Sequence, residues 1–241
     1  MGGVGVSTAM SGVDDTYTKS LLHFNGSDGS TTITDESGKT WTAYDNAQID
    51  TAQSKFGGAS GLFDGTGDYI KTTDYTDFNV GKENFTIDFW IRRVSTTSYS
   101  IFQTSYSGGN AMLIYLDSIA SAIWRFTYKD SLGTSYNIYS NTSLPADGSF
   151  HHIAIVRMEG TIYLFQDGTQ VGIDSTVGSK TFYNATSVII GTESNGGLSG
   201  WIDEFRFSKG IARWNGAFTP PTSAYDYVTP STVFIPKISI F

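Results

Sequence analysis

The sequence predicts an all-β protein, built as a sandwich of two antiparallel sheets. Three observations indicate this fold class: short stretches in which apolar and polar residues alternate, turn residues that separate those stretches, and the lack of a long amphipathic helical pattern. Alternation with a period of two places successive side chains on opposite faces of a strand. Two sheets that pack their apolar faces together bury all of these strands in the simplest way.

The alternation is clearest in residues 85–92, which read FTIDFWIR. The odd-numbered positions are all apolar and would share one face, while the even-numbered positions would share the other. Comparable stretches are predicted to be strands at residues 21–24, 69–72, 100–104, 112–116, 123–128, 136–139, 152–158, 161–166, 187–190 and 201–207.

Two pairs of residues predict tight hairpin turns, Glu159-Gly160 and Asp167-Gly168. Glycine favours such turns because it adopts a positive φ without a Cβ clash. Residues 152–171 are therefore predicted to form a three-stranded meander. The run GTGDYI that begins at Gly65 lacks the third glycine and the following helix of a dinucleotide-binding loop, so it is interpreted as a turn between strands.

The two ends of the chain differ from the middle. Residues 1–18 are small, glycine-rich and without periodicity, and we interpret them as an N-terminal arm. Residues 228–241 form an apolar tail interrupted by proline. The apolar side chains of this tail must be shielded from solvent. The tail could pack against its own sandwich or add to the surface of a neighbouring molecule as an extended strand. Residues 19–227 are the predicted domain.

Composition excludes several classes of function. The formal net charge of −8 would repel a nucleic-acid backbone, so nucleic acid is not an expected partner. The chain has no cysteine, which excludes disulfides, thiol catalysis and Cys-ligated zinc. No stretch is apolar for long enough to span a membrane, and the N-terminus lacks the pattern of an export signal, so we expect a protein made and used without export through the secretory pathway.

Four motifs together resemble a known family. Residues 60–70 (SGLFDGTGDYI), 85–91, 151–168 and 200–207 (GWIDEFRF) occur in the order typical of laminin-G-like domains of the concanavalin A-like lectin/glucanase superfamily. The longer runs 52–69 and 205–214 (FRFSKGIARW) resemble most the laminin-G-like domains of bacteriophage virion proteins.

The resemblance covers about residues 19–227 and implies a concanavalin A-like jelly roll with extended terminal arms. Members of the superfamily bind glycans, proteins or calcium, or serve as structural modules, so the fold alone does not decide the function.

The superfamily also contains glycoside hydrolases, which need two carboxyl groups roughly 5 Å apart when they retain configuration. The laminarinase-like branch has Glu-x-Asp-x-x-Glu on one strand, whereas residues 85–92 offer Asp88 alone. Asp203 and Glu204 are adjacent, so regular alternation would send them to opposite faces. The three histidines do not accompany a nucleophile motif. We therefore expect no enzyme activity.

Asp203 is the predicted metal residue. Regular alternation places it on one face with three aromatic residues, Trp201, Phe205 and Phe207, where a carboxylate must be hydrogen-bonded, paired or metal-bound. The resemblance implies a structural calcium ion, because the corresponding aspartate holds calcium in related glucanase-like sandwiches. Hydrogen bonds from nearby backbone amides or hydroxyls are the alternative. Glu204 and Arg206 would form a surface ion pair on the opposite face.

Glycan binding would use exposed aromatic rings beside polar loop residues. The run YSGGN resembles a binding rim, which makes Tyr106 and Asn110 candidates, together with Trp124. Further aromatic candidates are Tyr99, Tyr136, Tyr139 and Trp214.

The sequence as a whole predicts a non-enzymatic structural protein of a phage virion, either decorating the capsid or belonging to the tail or fibre. It would be assembled in the host cytoplasm, be anchored through its terminal arms, and contact other virion proteins, further copies of itself and host surface glycans. A carbohydrate-binding module of a receptor-binding protein is the alternative, and a glycoside hydrolase is the second alternative.

Overall fold

Fifteen strands make up almost all of the regular structure in the computed structural model, which describes residues 15–94, 99–117, 122–193 and 197–227. One short 3₁₀ helix, Thr76–Phe78, is the only helix within these ranges. The strands are β1 (Thr18–Leu22), β2 (Thr42–Tyr44), β3 (Gln48–Asp50), β4 (Ser60–Asp64), β5 (Tyr69–Thr72), β6 (Phe85–Arg93), β7 (Tyr99–Tyr106), β8 (Gly109–Asp117), β9 (Ile123–Lys129), β10 (Ser135–Ser143), β11 (His151–Met158), β12 (Thr161–Gln166), β13 (Thr169–Asp174), β14 (Ser187–Gly191) and β15 (Ser199–Lys209).

The strands form two sheets, and every pairing between them is antiparallel. Sheet A has the order β13-β12-β11-β6-β15-β4-β3, and β1 also pairs with β15. Sheet B has the order β10-β9-β8-β7-β14-β5-β2. The two-sheet antiparallel sandwich that the sequence predicted is confirmed.

The core lies between the sheets and is rich in aromatic rings. Phe205 of sheet A stacks on Phe102 of sheet B at 5.5 Å between ring centroids, and Phe85 lies 6.2 Å from Phe126. These rings alternate with outward-facing residues along each strand, as a half-buried strand requires. The odd-numbered apolar positions of β6 are all buried, as predicted.

The two sheets meet along both sides of the sandwich. On one side the chain turns at residues 45–47 and passes directly from β2 in sheet B to β3 in sheet A. On the other side β10 and β13 approach each other so closely that a Cβ atom at Gly172 would lie 2.8 Å from the carbonyl oxygen of Tyr139. No room is left between these two edge strands at that point.

The chain after β15 folds back over the outer face of sheet A. We call residues 211–227 the covering segment. Its residues Trp214 and Phe218 stack at 4.0 Å, and Phe218 also packs against Phe165 of β12 at 5.4 Å. The backbone amide of Phe218 donates a hydrogen bond of 2.9 Å to the carbonyl oxygen of Gly168. Sheet A is therefore buried on both faces where this segment lies.

The predicted strands and turns agree with the structure except at β1, which ends at Leu22, so that residues 23 and 24 of the predicted strand 21–24 lie outside it. Both hairpin turns have the positive φ angles expected of them, +48° and +80° at Glu159-Gly160 and +49° and +77° at Asp167-Gly168. The sequence did not reveal β2, β3 or β4, because the first two have only three residues each and the third begins with serine and glycine. These strands carry too few alternating positions to stand out.

The terminal segments are described only in part. Residues 1–14 of the predicted arm and the whole predicted tail, residues 228–241, lie outside the described ranges. Residues 15–18 were assigned to the arm, but they pack on the sandwich: Asp15 forms an ion pair of 2.5 Å with Arg213, and β1 begins at Thr18. In the described ranges no helix is long and apolar enough to cross a membrane.

We expect Gly168→Ala to destabilise the protein more than Gly133→Ala does. Both glycines have a positive φ, +77° and +89°, so each alanine costs about 1–2 kcal/mol of backbone strain. A Cβ at Gly168 would also lie 1.8 Å from the carbonyl oxygen of Phe218, whereas nothing lies within 4 Å of one at Gly133. The clash should add about 1–3 kcal/mol to the loss.

The free energy of unfolding in urea, measured for both variants and the unsubstituted protein, tests this difference. Equal losses in the two variants would mean that the covering segment does not rest on the turn at Gly168.

Candidate functional site

A β-bulge in β15 decides where its acidic residues point. Asp203 is paired with Trp90 of β6 and Arg206 with Asp88, so three steps along β15 correspond to two along β6. The extra residue is Glu204, whose φ of +51° is unusual for a residue other than glycine. Phe205 and Phe207 therefore face the core, while Asp203 and Arg206 face outward.

The predicted arrangement of these side chains is thus wrong in two respects. Asp203 does not share a face with Phe205 and Phe207, and Glu204 does not form a surface ion pair with Arg206. Regular alternation fails because one residue is inserted into the strand. Asp203 and Glu204 both lie on the outer side of sheet A, and both are fully buried.

Asp203 is held entirely by backbone amides. One carboxylate oxygen accepts hydrogen bonds from the amides of Lys55 (2.7 Å) and Phe56 (3.1 Å), and the other accepts one from Glu204 (2.9 Å). Burial raises the pKa of Asp203 to about 7, although these hydrogen bonds act in the opposite direction.

The residues around Asp203 do not fit a calcium ion. Three N–H groups point their positive ends at the two carboxylate oxygens, in the positions that a cation would need. Elsewhere in the described ranges, no group of three or more histidine, aspartate and glutamate side chains could hold a metal ion. Of the two interpretations that the sequence left open, the hydrogen bonds are the one that the geometry supports.

Glu204 joins two distant parts of the chain. One of its carboxylate oxygens lies 2.8 Å from Nδ1 of His23, and the other accepts a hydrogen bond of 2.8 Å from the backbone amide of Tyr225. The hydrogen bond to Glu204 raises the pKa of His23, which lies just after β1. Glu204 thereby holds the end of the covering segment to sheet A.

Asp88 and Arg206 form a buried ion pair with two hydrogen bonds, from Nε (3.1 Å) and Nη2 (3.0 Å) of the guanidinium. Tyr225 donates its hydroxyl to Asp88, and its ring lies 3.7 Å from the guanidinium carbon of Arg206. Nε2 of His152 lies 3.1 Å from the same hydroxyl oxygen. Burial alone would raise the pKa of Asp88, but the charge and hydrogen bonds of Arg206 and the imidazole of His152, 3.7 Å away, lower it well below its usual range.

These contacts decide what the acids of sheet A can do. Asp88, Asp203 and Glu204 lie on one side of the sheet, but every one of their carboxylates is buried and engaged by groups of the protein itself. A glycosidase needs an acid and a base or nucleophile that reach the substrate. In this arrangement none of the three carboxylates is accessible to a substrate.

The outer face of sheet B, in contrast, carries a row of partly exposed side chains. Tyr115 of β8, Arg125 of β9 and Tyr139 of β10 are paired across the three strands. The guanidinium carbon of Arg125 lies 4.5 Å from the ring centre of Tyr115 and 6.0 Å from that of Tyr139, which is 54% exposed. Cation–π contacts hold the three side chains in line.

A second pair of tyrosines, Tyr106 and Tyr183, lies beside Lys129 at the end of β9. The ammonium group of Lys129 donates to the hydroxyl of Tyr106 and lies 5.1 Å from the centre of its ring. The ring of Tyr106 is 4.4 Å from that of Tyr183, which is exposed. We call Tyr106, Tyr115, Arg125, Lys129 and Tyr139 the tyrosine–cation surface.

The predicted glycan-binding residues are only partly brought together. Tyr106 and Asn110 lie on the hairpin between β7 and β8, where Asn110 accepts a hydrogen bond of 3.2 Å from Ser105. The prediction that Trp124 binds a glycan is wrong. Trp124 is fully buried at the other end of the strands, and its indole N–H donates to Gln166 (3.0 Å). No face of that ring is open to a sugar.

Sequence reasoning missed Tyr115 and Arg125, and it gave Tyr139 only as one of several aromatic candidates. Their positions in the alternating pattern mark them as outward-facing, but only the register of β8, β9 and β10 aligns them in one row. The register follows from the hairpin and the packing of the whole sheet, which the sequence pattern does not specify.

Comparison with known proteins identifies the superfamily and the fold. Residues 64–214, well over half of the chain, match the family model described as the concanavalin A-like lectin/glucanases superfamily. No match was found among curated protein sequences.

Several solved structures share the fold at low sequence identity. The binding domain of Paraclostridial Mosquitocidal Protein 1 is similar with a TM-score of 0.63 and 17% identity over 82% of this chain and 50% of that one. The botulinum neurotoxin serotype G binding domain is similar with a TM-score of 0.61 and 14% identity, over 81% of this chain and 49% of that one. The botulinum neurotoxin serotype D ligand binding domain, in complex with N-acetylneuraminic acid, is similar with a TM-score of 0.62 and 17% identity, over 83% of this chain and 49% of that one. The chain thus spans about half the length of these structures.

We expect Asp88→Asn to cost about 3–5 kcal/mol of unfolding free energy, because it leaves the buried charge of Arg206 without its partner. The matched control is Glu83→Gln, which breaks the exposed ion pair of 3.4 Å with Lys209 and should cost less than about 1 kcal/mol. Urea unfolding of both variants checks the difference. Similar losses in both would contradict a stabilising role for the buried pair.

We also expect the free energy of unfolding to fall as the pH rises from acidic to neutral. Burial raises the pKa of Asp203 to about 7 in the folded protein, whereas it is about 3.9 in an unfolded chain. Between these values the folded state binds more protons, so stability decreases as the pH rises. The raised pKa of His23 acts in the same direction, because the stabilisation from its charged form is lost as the pH rises through the folded pKa.

Urea unfolding over this pH range, with Asp203→Asn and the exposed Asp28→Asn as control, tests the assignment. The decline should be smaller in Asp203→Asn and unchanged in Asp28→Asn. A decline of equal size in both variants would show that the carboxyl of Asp203 does not titrate in this range.

Proposed function

Because the chain belongs to the concanavalin A-like lectin/glucanases superfamily, we propose that it is a non-enzymatic binding protein that recognises glycans through the tyrosine–cation surface of sheet B. The observation that carries this proposal is the contrast between the two outer faces. The covering segment buries the centre of sheet A, whereas on sheet B Tyr139 is exposed and its neighbours Tyr115 and Arg125 are only partly buried.

The chemistry of the surface suits a sugar. Tyrosine rings offer a flat apolar face for the C–H side of a pyranose and a hydroxyl for its polar edge. Arg125 lies between two such rings, and Lys129 beside a third. Rigid aromatic side chains with a few directed polar groups are typical of small-molecule sites.

Two further observations support a binding role without catalysis. The acids of sheet A are engaged by the protein, and Asp117 and Glu193, the carboxylates that form ion pairs on sheet B, contact Arg125 and Lys71. Among the structures with the same fold, two are complexes of botulinum neurotoxin domains with SialylT and with N-acetylneuraminic acid. Glycan recognition is compatible with this fold.

We propose that the protein functions as part of a phage particle, with the sandwich displayed on the capsid, tail or fibre. The resemblance of residues 52–69 and 205–214 to virion proteins supports it. Attachment would use residues 1–14 and 228–241, with other virion proteins and further copies of this chain as partners. Immunogold labelling of intact particles tests this placement separately from glycan binding.

We expect Tyr139→Ala to weaken glycan binding by about tenfold or more, the range for loss of an aromatic anchor in a binding site. The control is Tyr17→Ala, because Tyr17 is also exposed, at 44%, but lies beside Gly210 next to sheet A. A glycan array followed by isothermal titration calorimetry of the best ligand measures both effects. Chelation of calcium should leave binding unchanged.

Absence of binding to every glycan on the array, with and without calcium, would contradict the proposed function. Equal loss in Tyr17→Ala and Tyr139→Ala would place the site elsewhere on the protein.

A further inference from the structure

The polar groups on the tyrosine–cation surface are mainly hydrogen-bond donors, and we infer that its ligand is an acidic polysaccharide, bound through carboxylate or sulfate groups. This inference rests on the proposed function, since it names the class of glycan. It follows from the cations of Arg125 and Lys129, from the contacts that they make, and from the side-chain amide of Asn137 that lies next to them.

The two cations lie on one strand and one face. Arg125 and Lys129 are four residues apart on β9, which corresponds to about 13 Å along a strand. Arginine and lysine side chains donate hydrogen bonds and accept none. Two donors at this separation are suited to an extended chain with anionic groups at intervals rather than to a single anion.

Neither cation is fully satisfied by carboxylates of the protein. Arg125 lies 3.4 Å from Asp117, which is longer than the roughly 2.7–2.9 Å of a good charge-assisted hydrogen bond. Lys129 donates to the phenol of Tyr106, and it takes part in no ion pair among the described residues. A ligand carboxylate or sulfate would therefore gain strong contacts here without displacing a well-formed ion pair.

The residues between the cations add another donor. The hydroxyl of Thr127 donates to Oδ1 of Asn137 at 2.6 Å, so one of the two lone pairs of this side-chain carbonyl is already used. The NH₂ group of Asn137 is left to donate outward from an exposed side chain. A ligand that meets Arg125, Lys129 and Asn137 together must be rich in acceptors.

Charge favours a polysaccharide over a nucleic acid. The whole chain carries a net charge of −8, which repels a polymer with one phosphate per nucleotide. Polysaccharides that alternate acidic and neutral sugars have sparser charge, and their neutral sugars can stack on Tyr115 and Tyr139, which lie on either side of Arg125. The surface thus combines sparse positive charge with aromatic faces.

The test compares four probes against the full chain by biolayer interferometry: hyaluronan, κ-carrageenan, neutral dextran and a single-stranded oligothymidylate. We expect one or both acidic polysaccharides, in which charged and neutral sugars alternate, to bind and to weaken as salt is added. Hyaluronan and κ-carrageenan distinguish a carboxylate from a sulfate preference. Arg125→Gln and Lys129→Gln should each weaken binding by about fivefold, while Lys82→Gln, at an exposed lysine before β6, should leave it unchanged.

The outcomes separate this inference from the proposed function. Equal binding of neutral dextran, tighter binding of the oligothymidylate, or unchanged affinity in both glutamine variants would overturn the acidic ligand. If neutral glycans bind and Tyr139→Ala removes that binding, the proposed function stands without it. If no glycan of any charge binds, both fail.

Discussion

The closure of the outer face of sheet A depends on the buried ion pair of Asp88 and Arg206. A carboxylate and a guanidinium are tolerated inside a protein only when their geometry is good and their other polar atoms find partners. Tyr225 of the covering segment supplies the additional partner, through its hydroxyl and its ring. The ion pair therefore needs the covering segment, and the segment is positioned by the ion pair. Together they close sheet A.

The closure of sheet A depends in turn on a single inserted residue. Without the bulge at Glu204, regular alternation would turn either the aromatic residues or the charged residues of β15 to the wrong side. The insertion lets Phe205 complete the core while Arg206 meets Asp88 on the outside. Glu204 itself gains His23 and the backbone of Tyr225 as partners. Acids that look like a catalytic pair in the sequence are thus part of the framework.

The sequence predicted the repeating features of this fold well and its exceptions poorly. The alternation of residues 85–92 and the acid-glycine turns depend on neighbouring residues, so they can be recognised locally. The bulge has no such signal, because glutamate at a positive φ is stabilised by contacts more than twenty residues away along the chain. The burial of Trp124 likewise depends on Gln166, forty-two residues further on. Of the candidate site, Tyr106 and Asn110 were found from a local loop motif, whereas the row of Tyr115, Arg125 and Tyr139 required the register of three strands.

The close approach of β10 and β13 bears on how many copies of this domain can be crowded together. Unpaired strand edges invite strands of other molecules, which leads to aggregation at high local concentration. Here one edge strand lies against the other at Gly172, and at the opposite side the chain itself turns from β2 into β3. Copies of the domain could then stand side by side in a dense array without merging their sheets, and a weak contact made by each copy could add up to firm adhesion through multivalency.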